Sequence, residues 1–170
     1  KDFHSESIIG TTDTSINNGW QRISVTFSVP SNATQIRCNL MLRDCTGIAY
    51  FDGMQLEIGT SANPFNMLNN SSFEKYTQNE DTGAYWPEDW GGYLTGIGDS
   101  VDNAHARDSG HAFRFKSVAT TPKEIESLML KLQLQKVQEK MLLQFYLIQL
   151  QIMILLNQDL LMIKDLYVAY

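Results

Sequence analysis

Alternation of apolar and polar residues dominates the first part of the chain. In WQRISVTFSV, every second position from Ile23 to Val29 is apolar, which predicts a strand with one buried face. Pro30 ends this strand, and PSNAT supplies a turn. Two further strands follow, QIRCNLMLR and IAYFDGMQLEIG, with the turn DCTG between them. Short antiparallel strands joined by tight turns predict an all-β fold, a sandwich or jelly roll.

Residues 65–118 are polar and rich in glycine and aromatic residues, and they contain shorter stretches with a strand-like pattern. The stretch NMLNNSSFE is typical of an entering strand, and HAFRFKSV resumes strand alternation. Between them, AYWPEDWGGY concentrates Trp and Tyr in a loop-rich run. We therefore expect β structure to continue to about residue 120.

Residues 121–170 differ from the rest of the chain. They contain none of the 11 glycines and are rich in Leu, Gln and Met. Their propensity favours one or two helices, with Pro122 near the start and a break around Asn157. However, LMLKLQLQ alternates at period two, and the apolar positions form no helical stripe. The run YLIQLQIMILL is too short and too interrupted by Gln to span a membrane.

A shift of reading frame is a second explanation of this tail, and we favour it over a native helical segment. Joining the third base of each codon to the first two of the next, from Glu126 onward, permits approximately KLNVKATATESSGEDAFTV. That sequence would continue a β module with two strands and a turn. Most of the codon choices are free, so the sequence permits a frameshift without requiring one.

The amino-acid composition and the net charge exclude some classes of function. Apolar residues form 43% of the chain, enough to fill a core, and 19% charged residues is not typical of disorder. The net charge of −6 and the lack of any Lys/Arg run argue against nucleic-acid binding. The chain begins at Lys1 in ordinary polar sequence and ends on LYVAY, so we expect a fragment of a longer protein.

The two cysteines flank one predicted strand. Seven extended residues span roughly 23 Å, whereas a disulfide needs its Cα atoms within about 7 Å. A bridge between Cys38 and Cys45 would therefore need a sharp turn. Because Cys38 shares the apolar face of its strand with Ile36 and Leu40, we predict a buried free thiol.

The segment GWQRISVTFSVPSNATQIRCNLMLRDCTGIAYFDGMQLEIG resembles the closing half of a CenC-type module. These modules are carbohydrate-binding-like, galactose-binding-like jelly rolls that are repeated in large bacterial surface proteins. They end with a Trp-led strand, a Pro turn and a G-x-x-Y-F-D-x-x-x-L-E strand. They begin with N-L-L-x-N-x-S-F-E, a loop and a Trp, and NMLNNSSFEKYTQNEDTGAYWPEDW is similar to that start. The resemblance covers residues 15–120.

The resemblance implies a division into half modules. Residues 1–62 would be the C-terminal half of one β-sandwich module, 63–66 a linker, and 67–120 the N-terminal half of the next, followed by the tail at 121–170. Because a jelly roll places its first and last strands side by side, the two halves could close as a circular permutant. The resemblance also implies an extracellular or cell-wall location, with neighbouring modules of the same chain as partners.

The resemblance further implies a structural calcium site. In related modules the Glu of SFE and the Asp of YFD help to bind Ca²⁺, and Glu74 and Asp52 hold the matching positions. Calcium takes about six to eight oxygen ligands, so two carboxylates with backbone carbonyls are suitable chemistry. Gly53 stands where relatives often carry a second acid, and the alternative is that both acids are solvated turn residues.

AYWPEDWGGY supplies the candidate carbohydrate-binding residues. Sugar sites use exposed aromatic rings that stack on the C–H face of a pyranose, while amides and acids bond its hydroxyls. The candidate rings are Tyr85, Trp86 and Tyr93, and Glu88 is a candidate hydroxyl partner. Trp90 matches a core-packing Trp of the family, and core packing is the competing interpretation for the other rings.

Catalysis has little support in the sequence. His4, His105 and His111 lie near no recognisable nucleophile motif, and HARDSGH fits no zinc signature. We therefore predict a non-catalytic module that binds a polysaccharide or cell-wall glycan, with no nucleic acid and no membrane span. The alternative is a structural spacer or self-association β-sandwich without a ligand.

Overall fold

The fold is taken from a computed structural model of the chain. It describes residues 3–8, 19–29, 35–42, 45–62, 64–93, 98–107, 109–117, 123–127, 130–131, 140–154 and 163–169. The strands, in chain order, are β1 (Phe3–Ile8), β2 (Gln21–Ser28), β3 (Gln35–Arg37), β4 (Asn39–Leu42), β5 (Cys45–Ile58), β6 (Tyr76–Gln78), β7 (Tyr85–Pro87), β8 (Trp90–Tyr93), β9 (Ser100–Asp102), β10 (Ala112–Ser117), β11 (Lys123–Ser127), β12 (Leu130–Lys131), β13 (Lys140–Ile154) and β14 (Ile163–Ala169).

All strand pairs among these residues are antiparallel. The largest sheet has the order β2-β13-β5-β10-β9, and a second has the order β1-β14-β3-β12. A third sheet is β4-β11-β8, and β6 pairs with β7 alone. The described residues contain no helix, so the predicted all-β class is confirmed. The sheets are consistent with a β-sandwich.

The described residues of the tail are strands. β13 lies between β2 and β5, and β14 lies between β1 and β3. The helix considered for residues 121–170 does not occur in the described part of that segment. Nowhere in the described chain is there a helix long and apolar enough to cross a membrane. The frameshift stays a prediction.

A β-bulge at Gly53 changes the phase of β5. On β13, Tyr146 faces Asp52 and Gln144 faces Gln55, so Gly53 and Met54 together face one position of the partner strand. Gly53 has φ of 59°, the left-handed conformation that glycine adopts without steric cost. Before the bulge the odd-numbered positions of β5 enter the core, and after it the even-numbered ones do. These core residues are Ala49, Phe51, Met54 and Leu56.

Residues from both predicted half modules share one core. Phe113 of β10 pairs with Phe51 of β5, and the ring of Phe115 meets the ring of Phe51 edge-on at 5.6 Å. Phe73 packs between Trp90 and Phe113, with ring centroids 5.2 and 5.8 Å away. A circular permutant requires such a shared core. Whether the two halves derive from different modules stays a prediction.

The passage from β5 to the SFE segment returns along β5. Met67 donates its N–H to the carbonyl of Leu56 at 2.9 Å. The side chain of Asn66, in the predicted linker, hydrogen bonds to the backbone of β5 as a neighbouring strand would. Its Oδ1 accepts from the N–H of Leu56 at 3.1 Å and of Leu68 at 3.0 Å, and its Nδ2 donates to the carbonyl of Met54 at 2.8 Å. The linker is therefore held against β5 by one amide side chain.

Asn70 joins the SFE turn to the strands that follow it. Its Nδ2 donates to the carbonyls of Lys75 and Glu88 at 2.7 and 2.8 Å, and its Oδ1 accepts from the N–H of Lys75 at 2.9 Å. Its backbone carbonyl accepts from the indole of Trp90 at 3.1 Å. Asn70 has φ of 44°, a conformation that Asn tolerates better than most residues.

Cys38 is a buried free thiol, as predicted. Burial raises the pKa of Cys38 to about 12, so the group stays a neutral thiol at physiological pH. The side chain of Cys45 lies outside the described residues.

We expect Asn66→Ala to lower the free energy of unfolding by about 1–3 kcal/mol, because it removes the partners of three backbone groups. The measurement is urea unfolding followed by tryptophan fluorescence. Asn69→Ala is the matched control, since Asn69 is exposed nearby, and we expect a change within about 0.5 kcal/mol. Equal effects of the two substitutions would contradict the role given to Asn66.

Candidate functional site

The bulge in β5 fixes the position of Asp52, whose surface is only 1% exposed. Its Oδ1 accepts a hydrogen bond from the N–H of Gly53 at 2.6 Å, and its Oδ2 accepts one from the N–H of Arg107 at 2.9 Å. The hydroxyl of Ser109 lies 3.2 Å from both oxygens. A buried carboxylate needs such donors, because its desolvation is unfavourable without them. Arg107 and Ser109 therefore anchor on Asp52 the loop before β10, which we call loop 105–111 and of which residues 105–107 and 109–111 are described.

Glu74 reaches the same loop from the SFE segment. Its Oε1 accepts from the backbone N–H of His111 at 2.9 Å, and its Oε2 lies 2.8 Å from His111 Nδ1. Gly110 permits this approach, because a Cβ atom there would lie 3.2 Å from Oε2. Burial raises the pKa of Glu74, but the hydrogen bonds from His111 outweigh it and leave that pKa below its ordinary value.

The structure thus brings Asp52 and Glu74 to the same loop, where Asp52 binds Arg107 and Ser109 and Glu74 binds His111. Burial raises the pKa of Asp52, and the negative charge of Glu74 raises it further. Hydrogen bonds to the Asp52 carboxylate oppose this rise without cancelling it. Within the described residues, no three His, Cys, Asp or Glu side chains form a group that could hold a metal ion. Calcium binding stays a prediction.

A solvent-open groove of about 220 Å³ lies beside His111. It is lined by Tyr76, Tyr85, Val101, Asp102, Asn103 and His111. These residues come from the β6–β7 pair, from β9 and the turn after it, and from the position just before β10. The groove therefore depends on the packing of several separate chain segments.

Two tyrosines form the aromatic wall of the groove. Tyr76 and Tyr85 are 38% and 42% exposed, and their rings meet edge-on with centroids 5.4 Å apart. Tyr76 also contacts the ring of His111 at 4.9 Å. The turn between β6 and β7 is held by Asn79, whose Oδ1 accepts from two backbone N–H groups, and by Gly83 with φ of 70°. The turn thus positions both rings.

Asp102 belongs to the polar wall of the groove and is held in place by its neighbours. Its Oδ1 accepts from the N–H of Ala104 at 2.9 Å and lies 3.2 Å from His105 Nδ1. Its Oδ2 is 3.9 Å from Arg114 Nη1. Arg114 is itself fixed by a 2.8 Å hydrogen bond to the carbonyl of Gly98. The Asp102 carboxylate is therefore held in one orientation.

The structure separates the four predicted carbohydrate-binding residues. Tyr85 lines the groove. Trp86 packs edge-on against Phe113 at 5.3 Å and donates its indole N–H to the carbonyl of Trp90 at 2.8 Å. It belongs to the edge of the core and does not line the groove.

Glu88 and Tyr93 also lie outside the set that lines the groove. Glu88 is exposed in the turn after β7, where its backbone N–H donates to the carbonyl of Lys75 at 2.9 Å. The backbone of Tyr93 pairs with Glu124, and its side chain lies outside the described residues.

Sequence reasoning did not identify Tyr76, Asp102, Asn103 or His111 as groove residues. Tyr76 carries a signal, because it is an aromatic residue two positions after the SFE motif, followed by the polar residues Thr77 and Gln78. His111 closes the HARDSGH stretch, which was considered only for zinc or catalysis. Asp102 and Asn103 carry no local signal, since their place is set by the pairing of β9 with β10.

No family model matches the chain, and no curated protein or solved structure is significantly similar to it. The resemblance to CenC-type modules therefore rests on the sequence motifs alone.

We expect the pKa of Asp52, measured by carbon NMR of the carboxyl group, to lie above its ordinary value and to fall in Glu74→Gln. The substitution removes the like charge that raises the pKa of Asp52. Between the ordinary and the raised pKa, the folded state binds more protons at Asp52 than the unfolded state does. The contribution of Asp52 to stability therefore decreases as pH rises through that window. An unchanged pKa in Glu74→Gln would contradict the proximity of the two acids.

Proposed function

We propose that the chain is a non-catalytic jelly-roll module of a secreted or cell-surface bacterial protein, and that it binds a glycan in the groove. The observation that supports this most is the exposed pair Tyr76 and Tyr85 facing the fixed polar groups of Asp102 and His111. Aromatic rings offer apolar area to the C–H face of a sugar, and oriented polar groups bind its hydroxyls.

The size of the groove suits a short part of a glycan chain. Its volume of about 220 Å³ lies below the roughly 300–1,000 Å³ of small-molecule pockets. One or two sugar units would contact the tyrosines while the rest of the chain stays in solvent. The affinity of a single module would then be modest. Repeated modules in the same protein would increase it through their high effective concentration.

A structural spacer or self-association module without a ligand is the competing proposal. The continuous aromatic core, from Phe73 through Phe113 to Phe115, is what a load-carrying spacer requires. The spacer proposal does not explain why two large rings, Tyr76 and Tyr85, remain exposed beside ordered polar groups. We therefore favour glycan binding.

We also propose that Asp52 and Glu74 contribute to a structural calcium site. The supporting observation is that the two carboxylates accept hydrogen bonds from Ser109 and His111, two residues apart in one loop, so their like charges lie near each other. A divalent cation would relieve that repulsion, and carboxylate oxygens are its usual ligands. The remaining oxygens would have to come from backbone carbonyls and water. The role of the ion would be to hold loop 105–111 against β5.

We expect Tyr85→Ala to weaken glycan binding about tenfold or more, because an aromatic anchor in a binding site contributes on the order of 1.4 kcal/mol or more. The measurement is isothermal titration calorimetry with the best ligand from a glycan array. Phe65→Ala is the matched control, since Phe65 is 79% exposed and does not line the groove. Trp86→Ala should instead lower the melting temperature, because Trp86 packs on the core. Lack of binding by the parent chain to any polysaccharide would refute the proposal.

We expect Ca²⁺ in excess over its dissociation constant to raise the melting temperature, because a ligand that binds only the folded state stabilises it. A hundredfold excess corresponds to about 2.7 kcal/mol. Differential scanning calorimetry with Ca²⁺, Mg²⁺ or a chelator measures this, and Glu74→Gln should abolish the response. The same melting temperature with Ca²⁺ and with chelator would exclude the site.

A further inference from the structure

The acceptor atoms of the groove are the starting point for its ligand class. The hydrogen bonds described for Asp102 end on Oδ1, whereas the 3.9 Å separation of Oδ2 from Arg114 is too long for a hydrogen bond. Lone pairs of Oδ2 are thus available to a ligand. An ionised carboxylate only accepts hydrogen bonds, so its partner must be a donor such as a hydroxyl group.

His111 provides a second acceptor of fixed orientation. The carboxylate of Glu74 accepts at 2.8 Å from Nδ1, so Nδ1 must carry the proton. The backbone N–H of His111 donates to the same carboxylate, which fixes the residue twice. In the neutral ring Nε2 is then an acceptor, and it is the ring nitrogen left for a ligand. Glu74 is a positioning residue that acts through His111.

The charge around the groove has one predominant sign. Asp102 lines it, and so does His111, whose backbone N–H and Nδ1 are bonded to the carboxylate of Glu74. The cation described beside this wall, Arg114, lies 3.9 Å from Asp102 Oδ2 and donates to the carbonyl of Gly98, so its charge offsets that of one of the two carboxylates. The whole chain carries a net charge of −6. A ligand carboxylate would therefore meet like charges, which strongly disfavours binding.

We infer that the groove selects neutral saccharides, whose hydroxyls donate to Asp102 and His111 while a C–H face rests on Tyr76 and Tyr85, and that it rejects uronic-acid saccharides. This inference rests on the proposed glycan-binding function and adds the class of ligand.

The test compares neutral with anionic pentasaccharides of matched linkage by calorimetry. The neutral probes are built from glucose, galactose, mannose, xylose or N-acetylglucosamine, and the anionic probes from the uronates of the first three. We expect the best neutral probe to bind at least about tenfold more tightly than its uronate counterpart. Equal or tighter uronate binding would overturn the inference and leave glycan binding intact. No binding of any probe would instead overturn the proposed function, and the inference with it.

Asp102→Asn removes the charge but keeps the shape, and we expect it to reduce the preference for neutral over anionic probes to about threefold or less. Asp81→Asn is the matched control, because it changes the net charge equally at an exposed turn position outside the groove. An unchanged preference in Asp102→Asn, or an equal change in Asp81→Asn, would overturn the role of Asp102. If Asp102→Asn does not fold, about 0.5 M NaCl added to the parent chain should narrow the same preference through screening. A preference unaffected by salt would contradict the inference.

Discussion

The β-bulge at Gly53 is the constraint on which the rest of the structure depends. Without it, a single alternation along β5 would place Phe51 and Met54 on opposite faces of the sheet, whereas both pack in one core. The extra residue lets both ends of the long strand face one core and leaves Asp52 buried at the point of the phase change. The buried carboxylate then requires donors, and loop 105–111 supplies them. A packing requirement therefore leads directly to the arrangement of a loop.

That loop connects the interior to the groove. Its residues Arg107 and Ser109 are held by Asp52, and its last residue, His111, is held by Glu74 and contacts the ring of Tyr76. Each contact is local, yet together they link a strand in the middle of the largest sheet to an exposed aromatic pair. The groove is thus stabilised by the hydrogen bonds of Asp52 and Glu74 to loop 105–111 and by the β6–β7 turn. A glycan-binding role would use a surface that the fold already holds rigid.

The sequence predicted those features that depend on neighbouring residues. Period-two alternation located β2 and β10, the DCTG turn marked the strand that became β5, and the pattern around Cys38 predicted its burial. The SFE and YFD motifs pointed to Glu74 and Asp52, which the structure brings to one loop. The groove was only partly predicted, through Tyr85, because Asp102 and His111 reach it by strand pairing over long sequence separations. The aromatic run suggested Trp86 equally well, since composition does not distinguish a ring on the core from a ring in solvent.

The clamp formed by Asn70 has a consequence for covalent modification. Asn70 begins the sequence Asn-Ser-Ser, which is an acceptor pattern for N-linked glycosylation. The nitrogen that would carry the sugar donates to the carbonyls of Lys75 and Glu88. Attachment would remove one of those hydrogen bonds and place a bulky group between the turn and the strands that carry the tyrosines. In a host that glycosylates proteins, modification of Asn70 would therefore compete with folding of this module.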